Sequence, residues 1–167
     1  YYHMVLLCEN NTGYHNLIKL VSYGFTEGFY SKPRIDDELL EKYHEGLICL
    51  SACLAGEIPQ KLLDGDYNAA KAKAAYYRDL FGKDNFFIEL QDHGIEEQQR
   101  IIPSLVRIAD EIGVDIVATN DSHYIEKEDS KTHNILLCIQ TNRTINDNDR
   151  MEFQTNEFYL KTEEEMR

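Results

Sequence analysis

The sequence predicts an α/β fold in which parallel strands alternate with helices, and three observations lead to it. Short apolar runs recur at residues 3–8, 47–51, 85–91 and 115–119, separated by spacers long enough to hold helices. The spacers carry helix punctuation, with Asp66 placed to start a helix that Gly82 closes, and Gly46 and Gly113 placed to close two others. Three of the four runs give way to polar, ligand-capable residues, as strand ends in α/β folds do.

Taken in order, HMVLLC is the first strand, with His3 at its start. Thr12 is placed to cap the next helix, whose apolar face is Tyr14, Leu17, Ile18 and Val21, with His15 on the solvated side. GFTEGFYSKPR, with two glycines, aromatics and a proline, reads as a long ordered loop. Its Phe29, Tyr30, Lys32 and Arg34 suit stacking on and pairing with a nucleotide. The competing reading is that these aromatics pin the loop to the core. A short helix over residues 36–44 ends at Gly46, and residues 47–51 form the second strand. The strand runs into ACLAGE, where small residues allow close backbone approach. Cys53 and Glu57, four apart, share a face of any helix that starts there.

A helix from Asp66 ends near Gly82, and NFFIELQ is the third strand, followed by Asp92, His93 and Gly94. The helix over residues 95–112 contains Pro103, so a kink or break is expected in it. The fourth strand, DIVAT, is apolar and β-branched, as a buried strand is. Beyond Tyr124 a helix over residues 126–140 carries Ile135, Leu136 and Ile139 as its apolar face. A polar loop over residues 142–149, an extended arm over 153–162 and a helix start over 163–167 complete the chain.

Chemistry concentrates where DIVAT becomes NDSHY. Side chains two apart on an extended chain point the same way, so Asp121 and His123 face one point. A carboxylate and an imidazole meeting there suit a divalent metal or a proton transfer. The plainer alternative is an Asp–His hydrogen bond that closes a turn. Cys53 with Glu57 and Asp92 with His93 follow the ends of two other strands, and parallel strands bring such ends to one edge. His3 sits at the opposite end of its own strand, so either it is no part of the site or that strand ends near it.

Composition narrows the function. At 167 residues with 43% hydrophobic content, the chain is long enough for one domain with a core. A net charge of −13 makes it a poor candidate for the main grip on nucleic acid. No apolar run is long enough for a membrane span, and no secretory signal is visible. Cys8, Cys49, Cys53 and Cys138 form no C-x-x-C pair, and three sit in apolar runs where buried inert thiols are expected. A reduced, cytoplasmic setting is the economical reading.

HMVLLCENNTGYHNLIKLVS, GFYSKPRIDDELLEKY, GLICLSACLAGEIP, FFIELQDHG, ATNDSHY and HNILLCIQT, in this order, resemble the N-terminal region of the bacterial replicative DNA polymerase III alpha-subunit family. The likeness covers nearly the whole chain and resembles the later part of the polymerase-and-histidinol-phosphatase (PHP) domain, running on toward the palm. It implies a partial PHP-type (β/α)7 barrel over residues 1–125 and a helical and extended connection toward the palm over 126–167. It implies metal ligands at His3, Cys53, Asp121 and His123, with Glu57 a further candidate, and Asp92 and His93 as supporting or loop residues. Lys32 and Arg34 remain candidate nucleic-acid contacts. The resemblance implies Zn, Mn or Fe at the PHP site and Mg at a palm outside these residues. It also implies DNA and replisome partners, including a separate proofreading exonuclease subunit, and no membrane partner. The family's opening H-x-H motif and palm carboxylates are expected outside this stretch, which therefore resembles half a metal site. Three roles follow: a metal-dependent 3′–5′ exonuclease within the polymerase, a scaffold that braces it, or a free-standing PHP phosphoesterase.

Overall fold

A computed structural model describes residues 1–167. Two compact units divide the chain: Tyr1–Glu89 with Ile101–Val117, and Leu90–Arg100 with Ala118–Arg167. Four strands, β1 (Val5–Cys8), β2 (Leu47–Leu50), β3 (Phe86–Leu90) and β4 (Ile116–Ala118), form one sheet in that order. The helices are α1 (Asn11–Thr26), α2 (Asp37–Tyr43), α3 (Glu57–Leu63), α4 (Tyr67–Phe81), α5 (Glu96–Ile112) and α6 (Ser130–Gln140). This is the mixed α/β class expected, with strands and helices alternating.

The sheet departs from all-parallel in one place. β2 and β3 are parallel, with Cys49 opposite Phe86. Between β3 and β4, Ile88 N–H donates to Asp115 O and Thr119 N–H to Leu90 O, so residue numbers rise together. β1 runs antiparallel to β2, pairing Val5 with Leu50 and Cys8 with Leu47. Reversing β1 carries its N-terminal end to the C-terminal end of β2, where His3 bridges Gly56 and its N–H donates to Ala55 O at 2.9 Å.

In the first unit, Leu47, Cys49, Phe86 and Ile88 from the strands are buried with Leu20, Ile58, Ala70, Ala74 and Ile108 from the helices. Burial of this apolar surface is the main stabilising term. Asp66 caps α4, its Oδ1 accepting Ala69 N–H at 2.9 Å, as its position foretold. α1 is capped by Asn10 rather than Thr12, with Asn10 Oδ1 accepting Gly13 N–H at 3.0 Å. The expected apolar face of α1 is not the buried one: Tyr14, Ile18 and Val21 are exposed, while Gly13, Leu20 and Gly24 are buried. Glycine is the reason. A Cβ on Gly13 would lie 1.7 Å from Gly46 O, so the neighbouring backbone packs on the glycine side of the helix. α1 also extends through Thr26, which shortens the expected loop.

Other expectations are corrected in the same way. α3 begins at Glu57 after Gly56, so Cys53 lies in the turn before the helix and shares no helical face with Glu57. Of the kink or break expected at Pro103, the break is absent, since α5 runs through it as one helix. β4 is an edge strand, and Ile116 is exposed. Cys8 is exposed despite its apolar run, whereas Cys49 and Cys138 are buried. Phe29 and Tyr30 are exposed, so they do not pin their loop to the core.

In the second unit, a 3-10 turn at Lys127–Asp129 leads into α6. Leu137 and Cys138 are buried, while Ile135, Leu136 and Ile139, the expected apolar face, are exposed. The helix turns His133 and Leu137 inward instead, because His133 packs edge-on against Phe153 at 4.8 Å. Residues 153–162, expected as an extended arm, belong to no helix or strand and bend at 154 and 156, and Tyr159 bridges Tyr124. Residues 163–167 form the single turn of the expected helix start: Thr162 and Glu165 exchange capping hydrogen bonds, and Met166 N–H donates to Thr162 O at 3.1 Å.

Candidate metal centre

The donors predicted from the sequence appear as two pairs, one in each unit. In the first, His3 Nδ1 and Cys53 Sγ are 3.6 Å apart. Backbone geometry brings them together. Ala52 adopts φ +62, in the left-handed region, and turns the chain beyond β2. Gly56 closes that turn by donating its N–H to Cys53 O at 2.8 Å. Antiparallel β1 then delivers His3 to the same turn.

Glu57 lines the same hollow as His3 and is also engaged by other side chains. Its carboxylate lies 3.4 Å from both Lys61 and Lys73 and accepts the Tyr77 hydroxyl at 3.0 Å. Burial, followed by the charge of Glu57, raises the Tyr77 hydroxyl pKa well above its ordinary value. Cys49, in the core, is an inert thiol, its pKa pushed far up by burial and then by Glu89.

In the second unit, His123 Nδ1 is 3.6 Å from Asp121 Oδ1 and 3.0 Å from the Asp121 carbonyl oxygen. A carbonyl only accepts, so Nδ1 is the donor in this contact, and in the neutral ring that leaves Nε2 as the lone-pair nitrogen for a metal or a proton. The arm at residues 153–162 holds this turn: His123 N–H donates to Phe158 O at 2.7 Å, and Asn120 Nδ2 donates to Tyr159 O at 2.6 Å. The Asp–His contact that closes a turn and the pair of available donors are thus one arrangement.

His93 supports the same turn from below. It is 1% exposed, stacks on Phe158 at 4.3 Å, and its Nε2 accepts the Asp121 N–H at 3.1 Å. Gln98 Oε1 accepts the His93 N–H at 2.8 Å. Burial lowers the His93 pKa, keeping the ring neutral. Asp92 is exposed and bends the chain, accepting Gly94 N–H at 2.8 Å. His133, not singled out from the sequence, lies 5.5 Å from His123, ring to ring. Ten residues separate them, and no short motif marks such a pair.

Imidazole, thiol and carboxylate are the donors a divalent transition metal takes, so the residues fit in kind. No three His, Cys, Asp or Glu side chains gather to hold an ion among themselves.

The PHP domain model matches residues 1–93. The chain belongs to the PHP domain family. His3 and Cys53 lie inside the matched PHP stretch, and Asp121 and His123 lie beyond it. The chain is 52% identical over 166 residues to DNA polymerase III subunit alpha of Treponema pallidum, covering 99% of this chain. It is 49% identical over 165 residues to that subunit of Deinococcus radiodurans, and 47% over 167 residues to that of Thermus aquaticus. These alignments include the PHP-matched stretch and continue through Asp121 and His123. The chain spans only 12–14% of the length of these relatives. No helix is long and apolar enough to cross a membrane.

Proposed function

We propose that this chain is the PHP region of a bacterial replicative DNA polymerase III alpha subunit and serves DNA-directed DNA synthesis as part of that larger nucleotidyltransferase. The observation that supports it is similarity to such subunits across 99–100% of the chain at 47–52% identity. On this reading residues 1–125 are barrel and 126–167 the connection toward the palm, where Mg would serve polymerisation. DNA, other replisome subunits and a proofreading exonuclease subunit are its partners, in a cytoplasmic setting.

His3, Cys53, Asp121 and His123 are the proposed metal donors. Glu57, which lines the same hollow as His3 and also faces Lys61 and Lys73, is the further candidate donor. Zn, Mn or Fe suits this mixed set. Such a metal supplies a Lewis acid and an activated water for phosphodiester cleavage. The chain's own part is to fix the donors: Asp121 orients the His123 ring, and buried His93 holds the Asp121 backbone. A 3′–5′ exonuclease is the catalytic form of this reading.

A scaffold role is the second reading, favoured by the pairing of the NDSHY turn with the arm that continues toward residue 167. Metal at that turn would stiffen the passage between domains. Asp121→Asn in the full-length polymerase separates the two. Metal content should fall, because an amide is a poorer ligand than a carboxylate. A catalytic site then loses metal-dependent release of 3′-terminal nucleotides, and a scaffold loses melting temperature with no nuclease rate to lose. Unchanged metal content would reject the ligand assignment. Failure of the wild-type full-length chain to extend a primer would reject the polymerase reading.

A further inference from the structure

A hollow of about 390 Å³ opens in the first unit, with His3, Arg34, Asp37, Glu57 and Tyr77 among its walls. Its charges are unevenly answered. Asp37 accepts Lys73 Nζ at 2.6 Å, and Glu57 faces Lys61 and Lys73. Arg34 has no carboxylate partner, and its Nε is buried without an acceptor. The guanidinium instead lies against two rings, 4.9 Å from the centre of Tyr1 and 5.4 Å from that of Tyr30. Lys32 adds a second cation 5.4 Å from the Tyr1 ring centre. Ser31, at φ +61, makes the tight turn in which Tyr30 N–H donates to Lys32 O at 3.1 Å. That turn sets Lys32 and Arg34 beside the same tyrosine.

A guanidinium without a counter-charge at the wall of a hollow selects an anion, and its planar fork of donors matches phosphate oxygens. The anion is further specified by the rings. Tyr1 is 66% exposed and Tyr30 75% exposed, so both keep open faces for a base. We propose that Arg34, assisted by Lys32, anchors the phosphate of a nucleotide at this hollow, with Tyr1 and Tyr30 as stacking faces for its base. A single phosphate anchor is compatible with the net charge of −13, which disfavours a long grip on DNA and not a local one. The nucleotide identity rests on the polymerase reading; the preference for an anion rests on Arg34.

The test uses the full-length polymerase and a single-stranded oligodeoxynucleotide ending in 5-iodo-deoxyuridine, photocrosslinked and mapped by peptide mass spectrometry. Crosslinks are expected at Tyr1 or Tyr30. Arg34→Gln should reduce them about tenfold, the loss of one charge-assisted hydrogen-bonding group. Arg34→Lys, which keeps the charge, should retain part of the yield. Thymidine monophosphate should suppress crosslinking at lower concentration than inorganic phosphate does. Absence of crosslinks at both tyrosines in the wild type would overturn the proposal, as would equal yield in a folded Arg34→Gln protein. Equal suppression by the two competitors would overturn the base-stacking part. Primer extension by the wild type is read separately, so failure of the polymerase reading is distinguishable from failure of this one.

Discussion

A Cβ added at Gly56 would lie 2.3 Å from Ser51 O and 3.1 Å from Cys53 O. Both neighbours are backbone, so the turn that presents Cys53 has to move to admit it. Gly56→Ala should therefore destabilise the first unit by about 1–3 kcal/mol, the usual cost of overpacking. It should also displace Cys53 from His3. Thermal melting of the full-length protein reads the first effect, and the alkylation rate of Cys53 reads the second. Cys49 is the internal control: buried in the sheet, it should stay unreactive in both proteins. A melting temperature and alkylation rate equal to wild type would show that the turn does not depend on this close approach. His93 illustrates the same kind of dependence by hydrogen bonding, since it touches the Asp121 backbone rather than its carboxylate.

Helices α4 and α5 are tied by Glu111, whose carboxylate lies 2.7 Å from both Lys71 and Arg107. Lys71 first, and then Arg107, lowers its pKa to about 2. A carboxyl with a folded pKa below its unfolded value contributes stability that is complete above about pH 4.5 and is lost as the pH falls toward 2. Melting temperature should therefore drop between about pH 5 and about pH 2, and Glu111→Gln should flatten part of that drop. Added salt should shrink the difference between the two proteins, because the pair is open to solvent. An identical pH profile in the mutant would remove Glu111 from this role. Elements of this kind were legible in the sequence where their signals are local. Asp66 and Gly82 mark α4 correctly because capping is decided within one turn. The buried face of α1 was not legible, because Gly13 admits the backbone of Gly46 from across the fold. The direction of β1 was hidden for the same reason, since strand pairing is a tertiary choice. Asp121 and His123 could be paired by spacing alone. His3 and Cys53, fifty positions apart, were linked only through family resemblance.

Across the whole chain, burial is unevenly distributed, and amide exchange should follow it. β2 and β3 bury Leu47, Cys49, Phe86 and Ile88 and exchange backbone hydrogen bonds within the sheet. α5 adds Leu105, Ile108 and Ala109 to the same buried set. Opening these amides to water requires breaking that core, so they should exchange slowest. Residues 144–152 belong to no helix or strand and are mostly exposed. Their local hydrogen bonds, such as Thr144 N–H to Asp147 at 2.7 Å, close turns without burying apolar surface. These amides should exchange fastest, by orders of magnitude, since local opening there costs little beyond one turn. The arm beyond them belongs between the two, because His123 and Leu160 donate backbone bonds across it and Phe158 is buried. Hydrogen–deuterium exchange on the full-length polymerase, resolved by peptide, measures this order. Metal addition then gives a second comparison: if Asp121 and His123 are ligands, the NDSHY turn and the arm paired with it should slow together, while residues 144–152 should not. Slowing of the loop alone would mean that metal acts there and not at the proposed donors.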